Sequence, residues 1–155
     1  MKGNDKILAA LNNLLSDELT AVNQYMVHSE MCDNWRYAKL HKAIEERAIT
    51  EMKHAEKLIA RILFLEGLPI VSQLKKISIG ATIEAQLSND LEAEYGAVKG
   101  YNDGIKLAYE LGDNGSRELM DSILTDEEEH VDWIEAQIDQ EKLMGIQSYL
   151  VEQVD

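Results

Sequence analysis

The sequence predicts an all-α fold: a four-helix bundle with one long crossover between its second and third helices and a short fifth helix at the C-terminus. Three observations support this prediction. Four segments of about thirty residues repeat apolar side chains every three or four positions, the period of one helix face. The chain has only one Pro and nine Gly, so few residues interrupt these segments. The connection 67–80 is longer than the joins usual in helical bundles.

The first two helices are predicted to form one hairpin, over about residues 4–34 and 39–66. Gly67 is expected to end the second helix, with Pro69 just beyond it. The short join between the two helices makes them antiparallel neighbours. The stripe of the first helix contains Ile7, Leu8, Leu11, Leu15, Val22 and Tyr25, and that of the second contains Leu40, Ile44, Arg47, Glu51, Ala55, Leu58, Ile62 and Leu65.

The third and fourth helices are predicted over about 81–111 and 117–144 and form a second hairpin. The cluster 112–115 is the turn between them, and Ser116 is expected to be the N-cap of the fourth helix. Gly145 ends that helix, and the tail IQSYLVEQV is expected to be the short fifth helix.

The connection 67–80 is long enough to run the length of the bundle. Fully extended at about 3.3 Å per residue it reaches about 45 Å. A helix of about 28 residues is about 42 Å long. The second and third helices are therefore predicted to be parallel.

Length, charge and cysteine content limit the classes of function that the sequence allows. The chain has 155 residues, which predicts one domain over 1–155. Its 29 acidic and 15 basic residues give a net charge of −14, which disfavours nucleic acid and favours cations as partners. Cys32 is the only cysteine, so an intrachain disulfide and a Cys-x-x-Cys metal site are excluded. With no signal-peptide pattern and no apolar run of about 18 residues, we expect a cytoplasmic protein that does not contact a membrane.

Four glutamates interrupt the apolar stripes: Glu18, Glu51, Glu94 and Glu127. The helical period places each on a core face, where a carboxylate must be paired, protonated or bound to a metal. Arg47 is the only obvious cation on a stripe, so pairing cannot account for all four.

The four glutamates repeat with a regular spacing. Two of them begin the motifs Glu51-x-x-His54 and Glu127-x-x-His130, which put both side chains on one helix face. The separation between Glu18 and Glu51 equals that between Glu94 and Glu127. Glu94 and Glu127 therefore follow Glu18 and Glu51 at one constant separation, which we call the hairpin offset. Tyr101 follows Tyr25 at the same offset. The chain reads as two related hairpins facing each other about a pseudo-two-fold axis.

This pattern predicts a site for two metal ions. Four carboxylates balance two divalent cations, and mixed carboxylate and imidazole ligation favours iron, manganese or zinc over calcium and magnesium. One Glu from each of two helices and one Glu-x-x-His from each of the other two is the ligand set of di-iron and di-manganese proteins built on helical bundles.

The chain resembles the bacterioferritins, the haem-containing bacterial branch of the ferritin family. The resemblance covers essentially the whole chain and is strongest in DELTAVNQY around Glu18, in EMKHAEKLIARILFLEGLP from Glu51, and in DEEEHVDWIE around Glu127. Non-haem ferritins generally lack the second Glu-x-x-His, and rubrerythrins need more cysteines.

The resemblance implies a ferritin-like bundle in a homo-oligomeric cage of 24 subunits, which oxidises ferrous iron with dioxygen or peroxide and stores ferric mineral. It implies that Glu18 and His54 are terminal ligands of one iron, that Glu94 and His130 serve the other, and that Glu51 and Glu127 bridge them. It also implies a role for Tyr25 as an electron donor. A ferredoxin-type redox partner for iron release fits the same resemblance.

Met52 is the second site residue that the resemblance implies. From spacing alone Met52 lies on a separate apolar stripe, which favours subunit packing. In bacterioferritins the methionine at this place in the motif is an axial ligand of haem b shared by two subunits. Met26 and Met31 are rival thioethers outside the motif. The resemblance fails at Glu46 and Thr50, where some members carry a His and an Asp of an inner-surface iron site.

The sequence leaves open another di-iron or di-manganese oxidase or peroxidase on the same bundle. The net charge of −14 and the predicted ligand set argue against a structural or DNA-protecting protein without a core site. The sequence also leaves open whether iron stays at the centre or passes into the cage. His28 and His41 are expected to be surface or capping residues rather than ligands, and the run 126–129 is expected to be a solvated face apart from Glu127.

Overall fold

The computed structural model describes residues 1–155 and contains helices as its only regular secondary structure. Four long helices form the bundle and a short fifth helix packs against the fourth, which confirms the predicted fold class. None of these helices is both long and apolar enough to cross a membrane. The helices are α1 (Asp5–Asn34), α2 (Ala38–Phe64), α3 (Ile83–Glu110), α4 (Asn114–Met144) and α5 (Ile146–Val151).

The topology is that of two antiparallel hairpins, α1–α2 and α3–α4, packed on each other. Contacts between the hairpins set their relative direction. Arg47 near the start of α2 donates from Nη1 to the carbonyl of Asp126, at 3.1 Å. Arg61, near the end of α2, instead reaches Asp113 at the start of α4, at 2.7 Å. The helices α2 and α4 are therefore antiparallel, so α2 and α3 are parallel, as the long crossover predicts.

The crossover runs along α1 and is held by a ladder of polar side chains spaced four residues apart. Toward the start of α1 the side-chain oxygen of Asn12 accepts from the N–H of Ile70, at 2.8 Å. Toward the end of α1, Nε2 of His28 accepts from the N–H of Gly80, at 2.9 Å. The spacing of four places these side chains on one face of α1. We call this set the crossover ladder: Asn12, Ser16, Thr20, Gln24 and His28.

The core consists of two apolar clusters, one in each half of the bundle. The first includes Leu11, Leu58 and Met120 and joins the start of α1 to the end of α2. The second includes Cys32 and Leu40 and joins the opposite ends of those helices. Between the two clusters every long helix contributes buried polar side chains, and these form the layer in which the candidate site lies.

The helix ends differ from the predicted ones by a few residues. Helix α2 ends at Phe64, and Glu66 rather than Gly67 takes the left-handed conformation, with φ 60°. The N–H groups of Glu66 and Gly67 bond back to α2 carbonyls and satisfy its last turn. A Cβ at Gly67 would lie 2.5 Å from Cδ2 of Leu8, so a larger residue there would force the Leu8 side chain to move.

The N-cap of α4 is Asp113, so the prediction of Ser116 was wrong. The Asp113 carboxylate accepts from the N–H of Ser116, at 3.0 Å, and from its hydroxyl, at 2.7 Å. The carboxylate of Asp113 therefore satisfies polar groups in the first turn of α4. The helix begins at Asn114, slightly before the predicted start.

Candidate metal centre

The four stripe glutamates converge in the polar layer between the two core clusters. Glu18, Glu51, Glu94 and Glu127 are each 1–2% exposed. Little water therefore solvates these carboxylates, and their charges depend mainly on one another and on the side chains around them.

Both histidines of the Glu-x-x-His motifs face the same layer. Nδ1 of His54 lies 2.9 Å from Glu127, 3.4 Å from Glu51 and 3.6 Å from Glu18. On the opposite side, Nδ1 of His130 lies 2.7 Å from Oε1 of Glu94. The structure thus brings together all six residues that the sequence motifs single out.

The six residues form two overlapping groups of potential ligand atoms, and within each group these atoms lie within 4.8 Å of one another. Glu51 belongs to both groups, whereas Glu127 belongs to the first. Bonds of about 2.0–2.2 Å from nitrogen and oxygen to a transition metal fit such spacings. The groups are Glu18, Glu51, His54 and Glu127, and Glu51, Glu94 and His130.

Unsatisfied polar atoms are concentrated at this centre. Seven buried side-chain nitrogen and oxygen atoms make no hydrogen bond, and all belong to this layer. Native proteins leave few such atoms, and the five that belong to carboxylates or to the imidazole have lone pairs that could bind metal ions. The atoms belong to Glu18, Arg47, Glu51, His54, Glu94 and Glu127.

The pKa values of the four carboxyl groups are shifted in two opposite directions, by burial and by contacts with neighbouring groups. Burial, and then the charge of Glu51, raises the pKa of Glu18 well above its ordinary value. Burial, and then the bond with Glu94, does the same to the pKa of Glu127. In Glu51 and Glu94 burial is outweighed by hydrogen bonds with neighbouring residues, so their pKa values are lowered. Within each hairpin the pKa of one carboxyl group is therefore raised and that of the other is lowered, and a bound cation would favour the ionised form of all four.

The imidazole of His54 responds to the same concentration of negative charge. Burial lowers its pKa, but the close contacts with the carboxylates of Glu127, Glu18 and Glu51 outweigh burial and raise the pKa to about 12. The carboxylates therefore hold a cation strongly on this side of the centre.

Arg47 brings a permanent cation into the centre. Its Nε lies 2.7 Å from Glu51, and its Nη2 lies 3.4 Å from Glu127 and 3.8 Å from Glu94. The pKa of Arg47 is raised because these carboxylates outweigh the effect of burial. The sequence identified Arg47 as the stripe cation, and the structure places it against three of the four glutamates.

Two buried tyrosines support the glutamates from across the bundle. Tyr25 on α1 donates its hydroxyl to Glu94 on α3, and Tyr101 on α3 donates to Glu18 on α1. Burial, followed by the neighbouring carboxylate, raises the pKa of both phenols well above 10.0, so both stay protonated donors. The hairpin offset pointed to Tyr101, although no role followed from it.

Two functional contacts were missed or misplaced by the sequence. Asp126, expected on a solvated face, contacts Nε2 of His54 at 2.8 Å. His28, expected at the surface or at a cap, is fully buried and lies 2.9 Å from Asp90 as well as bonding Gly80. The contact of Asp126 with His54 could not be predicted from spacing, because Asp126 directly precedes Glu127 and adjacent helix residues usually face different ways.

A cavity of about 390 Å³ connects the centre with the surface between α1 and α3. Its inner wall includes Glu18 and Glu94, and its outer wall includes the exposed Lys99. Gly96 on α3 widens this passage, since no other atom lies within 4 Å of where its Cβ would be. Small solutes can therefore reach the buried carboxylates through this gap.

Met52 lies on the other side of α2, away from the centre. It is 44% exposed and lines a cavity of about 340 Å³ together with Met26, Ala48 and Ile49. Met31 lies outside this cavity. Three residues of the predicted second stripe of α2, Ala48, Ile49 and Met52, thus line this cavity, and Met26 of α1 adds a second thioether.

The fold and the six-residue centre define a ferritin-like protein. The family model described as a ferritin-like domain matches residues 8–144. Bacterioferritin of Rhodobacter capsulatus is 42% identical over 149 residues, 96% of this chain and 92% of its own length. Bacterioferritin of Brucella melitensis is 40% identical over the same shares, and that of Mycobacterium tuberculosis is 38% identical over 96% of this chain and 94% of its own. The chain belongs to the bacterioferritin family.

Proposed function

We propose that this protein stores and detoxifies iron, by oxidising ferrous iron at a di-iron centre inside each subunit and holding the ferric product as mineral within a multisubunit cage. The observation that carries the proposal is the cluster of orphaned carboxylate and imidazole atoms at the centre of the bundle. Membership of the bacterioferritin family supports iron as the metal.

The six residues divide into terminal and bridging ligands. Glu18 and His54 would hold one ion, and Glu94 and His130 the other. Glu51, which belongs to both groups of ligand atoms, would bridge the two ions. Glu127 would be the second bridge, opposite Glu51 in the pseudo-two-fold arrangement. The four carboxylates would then balance the charge of two ferrous ions.

Holding two ferrous ions together makes a two-electron reaction available. Each ferrous ion gives one electron, and dioxygen takes both electrons and two protons to become hydrogen peroxide. When peroxide is the oxidant, the same two electrons and two further protons yield two water molecules. Paired oxidation avoids the release of one-electron oxygen radicals. The cavity between α1 and α3 would admit the substrates.

Tyr25 is placed to act as a further electron donor. Its hydroxyl donates to Glu94, and its ring meets the ring of His130 edge-on at 5.5 Å between centroids. Where only one ferrous ion is available to reduce peroxide, Tyr25 would supply the second electron that reduction to two water molecules needs, and its hydroxyl proton would pass to Glu94. The neighbouring carboxylate therefore makes loss of the proton and the electron in one step feasible.

Met52 is proposed as an axial ligand of haem b at an interface between two subunits. The exposed thioether and its apolar cavity fit a flat apolar group better than water. The partner subunit would offer the same methionine across a two-fold axis. A cage of 24 subunits and a ferredoxin-type partner that reduces the stored iron complete the proposal.

Substitution Glu94→Ala tests the centre. It removes a terminal ligand, so we expect rapid ferrous oxidation to fall to the rate in buffer while the assembly keeps its size. Glu110→Ala, an exposed residue on the same helix, is the control and is expected to keep the full rate. Unchanged initial rates in Glu94→Ala would refute the assigned centre.

Absorbance spectra test the haem site. Met52→Leu keeps the apolar surface but removes the sulfur, so we expect the haem Soret band to be lost or shifted. Met26→Leu, in the same cavity, is the matched control and should leave the spectrum unchanged. Loss of the band in Met26→Leu alone would assign the ligand to Met26.

A further inference from the structure

The pseudo-two-fold symmetry of the two hairpins is broken beside the metal centre. The hairpin offset relates Glu18 to Glu94, Glu51 to Glu127 and His54 to His130. The same offset relates Arg47 to Ile123, each one turn before its Glu-x-x-His motif. Ile123 is fully buried in the apolar core, whereas Arg47 brings a positive charge into the centre.

The charge of Arg47 lies in one half of the centre. Its guanidinium contacts Glu51, Glu94 and Glu127, and its ion pairs do not include Glu18. His54 contacts Glu18, so the Glu18–His54 half has an imidazole where the Glu94–His130 half has both an imidazole and a guanidinium. The two halves are therefore electrostatically unequal.

Arg47 is held in the centre by charge more than by directed bonds. Its Nε and Nη2 are close to carboxylates but make no aligned hydrogen bond. Its one hydrogen bond runs from Nη1 to the carbonyl of Asp126 on α4. The side chain is 12% exposed, against 1% for Glu51, so it has a path toward the surface.

A second asymmetry affects the histidines. Nε2 of His54 contacts the carboxylate of Asp126, a type of partner that orients an imidazole and raises its basicity as a ligand. The hairpin offset relates Asp126 to Thr50, whose hydroxyl donates to the carbonyl of Glu46 instead. His130 therefore lacks the corresponding carboxylate.

We propose that Arg47 is a resident cation of the Glu94–His130 half, which a metal ion must displace, so that metals bind in two steps and the second ion is the exchangeable one. This inference rests on the proposed function. Four carboxylates neutralise two divalent ions only after Arg47 has moved outward.

Calorimetric titration of the metal-stripped full-length protein with Co²⁺, which dioxygen does not consume as it does ferrous iron, tests the inference. We expect the wild type to bind two ions per subunit with unequal affinities. Arg47→Gln should raise the affinity for the second ion by roughly tenfold or more, because the competing charge is gone. Arg61→Gln is the matched control, since Arg61 is on the same helix and pairs with Asp113 away from the centre.

Two further measurements keep the test decisive if Arg47→Gln folds poorly. Arg47→Lys keeps a charge but loses the planar fork, and its second affinity should lie between those of the wild type and Arg47→Gln. The melting temperature of metal-stripped Arg47→Gln should be lower than that of the wild type. Addition of Co²⁺ should raise it by more than it raises the melting temperature of Arg61→Gln.

The outcomes separate this inference from the proposed function. Identical pairs of affinities in the wild type and Arg47→Gln would overturn the inference and leave the centre intact. Weaker binding of both ions in Arg47→Gln would show that Arg47 positions the glutamates and does not compete. Failure of the wild type to bind any Co²⁺ would overturn the proposed function as well.

Discussion

The Tyr101 hydroxyl on α3 donates a hydrogen bond to Oε1 of Glu18 on α1. Its counterpart, Tyr25 on α1, donates to Glu94 on α3, so each hairpin holds a glutamate of the other in place. Both tyrosines are almost completely buried, as are both acceptors. The two halves of the centre are thus fixed to each other by protein contacts.

Loss of the Tyr101 hydroxyl should cost more stability than loss of a similar hydroxyl elsewhere. Tyr101→Phe leaves a buried carboxyl oxygen without its donor, which should lower the free energy of unfolding by about 1.5–3 kcal/mol. Tyr149→Phe is the control, because its acceptor Gln137 is only partly buried and can bind water instead, so the loss should be about 1 kcal/mol. Urea unfolding of the metal-stripped variants measures both. Equal losses would contradict a special role for the tyrosine–glutamate bonds.

The cap of α4 should make stability depend on pH. Burial raises the pKa of Asp113, but hydrogen bonds from Ser116 and the charge of Arg61 outweigh it and hold the pKa below 3.8. Since the pKa is lower in the folded than in the unfolded chain, ionised Asp113 stabilises the fold above about pH 4, and this contribution is lost as pH falls through the folded value.

Asp113→Asn keeps a capping oxygen but removes this charge. We expect it to lower the free energy of unfolding at pH 7 and to match the wild type at the acidic end of the series. Asp113→Ala loses the cap as well and should cost about 1 kcal/mol more. Denaturation of each variant between pH 7 and pH 3 measures the difference. A deficit in Asp113→Asn that persists unchanged at low pH would contradict the assignment.

The crossover should loosen locally when the ladder loses its most buried member. His28→Ala frees the N–H of Gly80, at a cost of about 1–3 kcal/mol for the unsatisfied group, and leaves Gln24 as the one remaining side-chain partner of Asp90. Hydrogen exchange should become faster near Gly80. Asn12→Ala, at the exposed end of the ladder, should instead affect 68–70. Faster exchange near Gly80 in both variants would mean that the crossover opens as one unit.

Cys32 should be inert in the native protein. Its side chain is fully buried, and burial, followed by the charge of Asp90, raises its pKa to about 12. Very little thiolate is then present at pH 8, where unfolded thiols react readily. Reaction with a chromogenic disulfide should therefore be slow in native protein and fast in denaturant. Fast labelling of native protein would show that this end of the bundle opens easily.

The fold and the centre could be predicted because both leave periodic signals in the sequence. Apolar residues at helical spacing define the bundle, and a glutamate inside such a stripe is costly enough to be informative, as at Glu94. The length of the crossover set the parallel direction of α2 and α3. These signals are local to one helix or repeat between the two hairpins.

The features that were missed depend on contacts between distant segments. His28 lies near the end of its helix and becomes buried only because the crossover and Asp90 cover it. The contact of Asp126 with His54 joins residues on different helices. At the end of α2, Gly67 lies close to the side chain of Leu8, which is on a different helix. None of these contacts follows from the spacing of residues along the chain.

The most direct test of the central claim is an aerobic titration of the metal-stripped protein with ferrous iron, followed by absorbance in the near ultraviolet. The centre built from Glu18 to His130 predicts a fast ferric signal that saturates at two irons per subunit. Oxidation no faster than in buffer alone would contradict the claim that these residues form a ferroxidase centre.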